Sequence, residues 1–225
     1  MDHPMTQGTA LILDFGGVVT RTLFETHDLT ERALGLPAGS LDWRGPFAPE
    51  TDALWQAMQA DEITERDYWA ERTRQVGALL GEDWTEMSQF VRAARGADPA
   101  AVIRPEFHQT LETARQHGIR MAILSNELDL FYGADFRQKL PFLAHFEVIE
   151  DATYSGILKP DPRAYASVLK KLALGAENCV FVDDQKRNID GARRAGLPCV
   201  HFDVANPGAS YAAALKMLLA ERKTR

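Results

Sequence analysis

The sequence predicts an α/β fold: a parallel sheet flanked by helices, with a helical segment inserted after the first strand. Short apolar runs that end in polar side chains recur along the chain. Leu11–Leu13 runs into Asp14, Met121–Leu124 into Ser125, and Cys179–Val182 into Asp183. Such runs read as strands buried on both faces, as a parallel sheet requires. From Pro105 onward, strand-like and helix-like stretches alternate, which implies right-handed crossovers between parallel strands. Residues 21–104 break that alternation and read as helices.

The elements follow in order. The first strand closes on Asp14, and the pair Gly16-Gly17 makes a tight turn. In the insert, one helix opens over Asp52–Met58, capped by Asp or Thr. A second opens over Ile63–Trp69, with Thr64 as N-cap and Asp67 completing a capping box. Tyr68, Trp69, Thr73, Val76, Leu79 and Leu80 follow at roughly helical spacing. Trp84–Val91 is a third helix, and Gly96–Pro99 reads as a linker. Beyond it, Pro105–His117 is a helix stopped by Gly118, Ile119–Leu124 a strand, Leu128–Leu140 a helix and Phe146–Ile149 a strand. Pro162–Leu172 is a helix with proline in its first turn. Val180–Val182 is a strand, Asn188–Ala195 a helix ended by Gly196, Cys199–Phe202 a strand and Ala209–Lys223 the last helix. The expected division is a core of residues 1–20 and 105–225, with residues 21–104 as a separate helical cap.

Composition narrows the function classes. The formal charge of −7 argues against general binding to nucleic acid or to anionic membranes. No apolar run is long enough to span a bilayer, and the polar start, Met1–Gly8, lacks a signal pattern, so a cytoplasmic location is expected. Cys179 and Cys199 each lie in apolar runs and read as reduced core cysteines rather than a disulfide or metal pair. The six histidines show no metal-ligand spacing.

Chemistry concentrates at the strand ends, where open α/β sheets bind ligands. Asp14 ends one buried strand and Asp183-Asp184 end another far downstream, so one acidic site is built from distant parts of the chain. Ser125-Asn126 ends the strand between them, and Lys159 stands in the proline-stiffened turn Lys159-Pro160-Asp161-Pro162. Three carboxylates in one pocket need compensation. One like-charged pair at about 4 Å costs on the order of 4 kcal/mol at an effective dielectric near 20. A hard divalent cation removes that cost, and oxygen ligands favour Mg²⁺. Adjacent strand residues face opposite ways, so Asp183 and Asp184 are not equivalent ligands.

In this order, Asp14, Ser125-Asn126, Lys159-Pro160 and Asp183-Asp184, the chain resembles the haloacid dehalogenase superfamily. The resemblance runs motif by motif over residues 10–20 and 118–203, and by position alone over 21–104, where it implies a C1-type cap on a Rossmann-like core. It implies a Mg²⁺-dependent phosphatase acting on a small phosphate ester, with a sugar phosphate as one option. Asp14 is then the nucleophile that carries an aspartyl-phosphate, and Lys159 the cation that neutralises it. Ser125 and the Asn126 backbone N–H bind the phosphate beside Gly17, and Arg21, placed just after the glycine turn, is within reach of an anionic or hydroxylated substrate. Asp14, the Gly16 carbonyl and Asp184 hold the metal, Asp183 acting directly or through water. Asn188 either braces the Asp183-Asp184 loop or is an ordinary polar helix residue. Phosphatases of this superfamily usually carry a second Asp two residues after the nucleophile, which protonates the leaving group. Gly16 stands there instead, so weak or leaving-group-selective catalysis is expected, and His27 and Glu25 are the candidates to replace the acid. Trp43 and Arg44 either touch substrate or anchor the cap. Two alternatives remain. One is a dehalogenase-type C–X hydrolase, disfavoured because those enzymes carry Tyr at the Gly16 position and lose the paired acids. The other is a weakly catalytic binding or regulatory protein. The oligomeric state is expected to be monomer or homodimer.

Overall fold

A computed structural model describes residues 8–95, 99–133 and 135–221. The polar N-terminal start, Met1–Gln7, and most of the Gly96–Pro99 linker lie outside the described residues. The chain forms two compact units. One comprises Met1–Arg21, Ile103–Leu128 and Leu140–Arg225, the other Thr22–Val102 and Asp129–Lys139.

The first unit is built on five parallel strands, β1 (Ala10–Leu13), β2 (Arg120–Ser125), β3 (Val148–Asp151), β4 (Cys179–Asp183) and β5 (Cys199–His201). They lie in the order β3-β2-β1-β4-β5. The sheet therefore grows one way from β1 to β3, then resumes on the other side of β1 with β4. A ligand crevice opens at such a reversal, at the strand C-terminal ends. On one face, Ile12, Leu124 and Phe181 pack with Tyr165, Val168 and Leu172 of α8 (Pro162–Leu172) and Ile189 of α9 (Lys186–Arg194). On the other face, α5 (Pro105–Gln116) packs on β2, and α10 (Pro207–Glu221) on β1, β4 and β5; a one-turn α7 (Ala152–Ser155) follows β3. All four residues of β1 are fully buried, which is why its sequence shows no alternation.

The second unit is helical, with α1 (His27–Leu34), α2 (Ala53–Gln59), α3 (Glu65–Leu79) and α4 (Met87–Arg95). The α3 start carries the capping box read from Thr64 and Asp67. Asp52 caps α2, accepting from the Trp55 N–H at 2.9 Å. The same carboxylate accepts from Tyr68 Oη at 2.9 Å and from the Arg72 guanidinium. Around it Phe24, Trp43, Trp55 and Tyr68 form a buried cluster of edge-on and tilted rings.

Several elements differ from the sequence reading. The helix expected over Leu128–Leu140 breaks into α6 (Leu128–Tyr132) and a short 3₁₀ turn, Phe136–Lys139, because Gly133 adopts φ +86°. Residues Asp129–Lys139, assigned to the core, group with the helical unit. Arg137 pairs with Asp129, and the Phe131 ring meets Trp69. The third insert helix starts at Met87 rather than Trp84. Gln89 Oε1 accepts from the N–H groups of Thr85 and Glu86, and Trp84 stays outside as a buried anchor. Helix α1, ended by Gly35 at φ +67°, is an element that the sequence pattern above does not single out. Both cysteines are free thiols. Among the described residues, no helix is long and apolar enough to cross a membrane.

Candidate active site

Strand register sets the site. Leu13 pairs with Ile123 of β2 and Val182 of β4, so the next residues, Asp14 and Asp183, end level on adjacent parallel strands. The Asp14 N–H continues the ladder to the Val182 carbonyl at 2.9 Å. Between the two carboxylates sits Lys159, whose Nζ lies 2.8 Å from Asp14 Oδ1 and 2.6 Å from Asp183 Oδ2. Burial on its own would push the Lys159 ammonium toward its neutral form; the two carboxylates override it and hold its pKa well above the ordinary lysine value. A fixed positive charge thus stands against Asp14 across the whole physiological range.

Lys159 is positioned through its backbone. Asn126 Oδ1 accepts from the Lys159 N–H at 2.7 Å and Asn126 Nδ2 donates to its carbonyl at 3.2 Å. Asp161 then caps α8, accepting from the Arg163 N–H. Pro160 lies against α9 at Gly191, where a Cβ would come within 2.6 Å of the proline ring, so only glycine permits that approach. Asp183 is fully buried and saturated. Besides Lys159, it accepts from the Gln185 N–H at 2.8 Å and from Asn188 Nδ2 at 3.2 and 3.1 Å. Asn188 is therefore a brace and not an incidental helix residue, and Tyr165 Oη donates to its carbonyl at 2.7 Å.

Asp184, half-buried, follows on the next residue. Asp14, Asp183 and Asp184 each offer an oxygen, and these lie within 4.8 Å of one another. An all-carboxylate donor set this tight, with one lysine already spent on two of its members, fits a hard divalent cation. The turn after Asp14 makes room for the Asp184 carboxylate. Gly17 has φ +82°, which favours glycine, and a Cβ there would stand 2.5 Å from Asp184 Oδ2 and displace that carboxylate. Gly16, by contrast, has φ −70° and ψ 127°, a conformation open to any L-residue.

The structure thus brings Asp14, Lys159, Asp183, Asp184 and Gly17 together. Ser125 and Asn126 lie buried at the end of β2, one strand over. Asp151 on β3 was passed over in the sequence, yet its Oδ1 accepts from the Leu128 N–H at 3.2 Å and holds the turn beyond Asn126. Arg21 is half-buried, just past Thr20, which bridges Ile103. Trp43 is 5% exposed, its ring edge-on to those of Phe24, His27 and Trp69, so it anchors the helical unit; Arg44 contacts His27 Nδ1. Glu25 is engaged by Thr22, through N–H and Oγ1. His27 is 5% exposed, and burial, reinforced by Arg44, pushes its pKa down to about 4. Neither is presented as a free general acid.

Residues 9–196 match the family described as haloacid dehalogenase-like hydrolase. The chain belongs to the haloacid dehalogenase-like hydrolases. Among its relatives, the Mycobacterium tuberculosis protein named Phosphatase MT3486 is 31% identical over 194 residues, 84% of each chain. The phosphoglycolate phosphatase of Pseudomonas savastanoi is 28% identical over 111 residues, 49% of this chain, which spans only 40% of that protein's length. The solved L-2-haloacid dehalogenase of Xanthobacter autotrophicus superposes with a TM-score of 0.58 at 17% identity, covering 87% of this chain and 78% of that one. At that identity the likeness is one of fold. This haloacid dehalogenase-like chain is a hydrolase.

Proposed function

We propose that the chain is a Mg²⁺-dependent phosphatase of small phosphorylated metabolites, working through an aspartyl-phosphate on Asp14. The observation that carries the reading is the Lys159 ammonium between Asp14 and Asp183, beside a third carboxylate. Displacement of halide from carbon by a carboxylate has no use for a three-acid cluster. A phosphoryl dianion entering it needs positive charge on several sides. The phosphatase relatives support the same choice.

In this mechanism Asp14 Oδ attacks phosphorus and the ester P–O bond breaks. Lys159 stabilises the charge gathering between Asp14 and the phosphoryl oxygens, and Ser125 and the Asn126 N–H bind one of those oxygens. Asp14, the Gly16 carbonyl and Asp184 would hold the cation, with Asp183 ordering Lys159 and the loop behind it. Bound there, Mg²⁺ supplies charge neutralisation and a template for the phosphoryl oxygens. No carboxyl stands at position 16 to protonate the departing oxygen, so it leaves as its anion or takes a proton from water. Water then attacks the phosphoenzyme, frees phosphate and restores the Asp14 carboxylate. The helical unit, in the place of a C1-type cap, selects the substrate.

The test is phosphate release with and without Mg²⁺ over a panel of sugar phosphates, phosphoglycolate and aryl phosphates, with a 2-haloacid as a separate arm read by halide release. Mg²⁺-dependent release that is lost in Asp14→Asn is expected. Halide release, or turnover retained by Asp14→Asn, would overturn the assignment.

A further inference from the structure

The turn that carries Gly16 and Gly17 is held from below. Arg104, 3% exposed, directs Nε and Nη2 to one acceptor, the Gly17 carbonyl, at 3.1 and 2.9 Å. Tyr211, on α10 and 2% exposed, donates its hydroxyl to the next carbonyl, Val18, at 2.7 Å. The Arg104 N–H donates to the one after that, Val19, at 3.0 Å. Three consecutive carbonyls are thus gripped by two residues from distant parts of the chain. Phe202 closes the arrangement. The Arg104 guanidinium lies 5.4 Å from its ring centroid, the Tyr211 ring meets it edge-on at 5.0 Å, and the Phe202 N–H donates to the Asp183 carbonyl at 2.9 Å.

We propose that Arg104 and Tyr211 are positioning residues whose grip on the Gly17 and Val18 carbonyls sets the glycine turn against Asp184, and so the affinity of the site for its cation and phosphate. The proposal rests on the phosphatase reading above. Its physical basis is the rigidity of the peptide unit. A trans peptide points its N–H opposite its C=O, so holding these two carbonyls on the Arg104 side turns the Val18 and Val19 N–H groups away from it. The grip ends at the glycine that abuts the Asp184 carboxylate. A bidentate guanidinium fixes its acceptor in a plane and a direction, which an ammonium does not. Burying a guanidinium is expensive. Here it is committed, at least in these two bonds, to one backbone oxygen of the turn next to Asp14.

The test compares wild type, Arg104→Lys and Tyr211→Phe. Mg²⁺ is titrated calorimetrically onto the full chain, and the Val18 amide resonance is followed by ¹⁵N NMR. The KM and kcat for an aryl phosphate are measured beside them. Arg104→Lys keeps the charge and is expected to bind Mg²⁺ roughly 10-fold more weakly, as outer-shell changes typically do. Tyr211→Phe loses one hydroxyl without opening a cavity and is expected to weaken binding about threefold. Both should move the Val18 amide and raise KM more than they lower kcat, a pattern that general destabilisation does not produce. Should Arg104→Lys fail to fold, Tyr211→Phe decides alone. Variants that bind Mg²⁺ as tightly as the wild type, with the Val18 amide unmoved, would overturn the clamp. A wild type that takes up no Mg²⁺ would instead refute the phosphatase reading, and with it the role of the clamp.

Discussion

Asp183 and Asp184 are neighbours in the chain and opposites in environment. Asp183 is fully buried between Lys159, Asn188 and the Gln185 N–H, whereas Asp184 is half-buried beside Gly17. The strand pleat separates them, and their substitutions should fail differently. Asp183→Ala strips the Lys159 ammonium and the Asn188 amide of a buried acceptor, and loss of one partner of a buried pair typically costs about 3–5 kcal/mol. Asp184 is the more exposed of the two, so Asp184→Ala should cost less stability than Asp183→Ala while Mg²⁺ activation collapses. Urea unfolding and Mg²⁺ titration on the two variants check this; a large stability loss in Asp184→Ala would sink the division. The strand-end acids and their unequal facing were legible in the sequence because strand periodicity is local. The bonds that place Lys159 were not. Asn126 grips a backbone 33 residues away, and no local pattern marks a side chain that reaches so far.

At the scale of elements, the helical unit carries its own electrostatic signature. His27 sits inside the aromatic cluster, where burial first, then Arg44 at Nδ1 and Arg72 oppose protonation, while Glu31 and Asp42 favour it. Burial and the arginines win, and its pKa falls from 6.5 to about 4. The sign follows from linkage. Above pH 6.5 both folded and unfolded forms are neutral there, and the unit keeps its full stability. Below it the unfolded chain takes up the proton first, so stability falls as pH drops toward about 4, by about 1.4 kcal/mol per pH unit from this group. All four tryptophans, Trp43, Trp55, Trp69 and Trp84, lie in this unit, so their fluorescence follows it selectively. Urea midpoints by tryptophan emission should fall more steeply between pH 6.5 and 4 in wild type than in His27→Phe. Parallel profiles would show that His27 protonates freely in the folded state. The α3 capping box was readable because its residues are three apart. The grouping of Asp129–Lys139 with this unit was not, because it hangs on the Trp69–Phe131 ring contact across the chain and on a glycine break inside an otherwise helical pattern.

For the whole molecule, the parallel sheet with its switch between β1 and β4 brings an acid from residue 14 and a pair from residues 183 and 184 to one edge. That architecture gathers Asp14, Asp183, Asp184 and Lys159, but position 16 is Gly and has no side chain to protonate a leaving group. General acid–base help is typically worth about 10²–10⁴-fold in rate. Its loss should fall on substrates according to their alcohols. Anomeric sugar phosphates and aryl phosphates release stable anions and need little help; simple alkyl phosphates release strong bases and need most of it. A plot of log rate against leaving-group pKa should therefore fall steeply for wild type. The backbone at Gly16, φ −70° and ψ 127°, accepts a side chain without strain, unlike Gly17 at φ +82°. Gly16→Asp should then flatten the plot by raising rates on alkyl phosphates while changing aryl rates little. With no acid at position 16 to activate water in the second step, the aspartyl-phosphate proposed on Asp14 should also accumulate and appear as a pre-steady-state burst. A flat wild-type plot would mean that another group already delivers the proton. With Glu25 tied to Thr22 and His27 buried, neither is a ready donor, and Glu25→Gln and His27→Phe, measured on the same plot, would show whether either still supplies it.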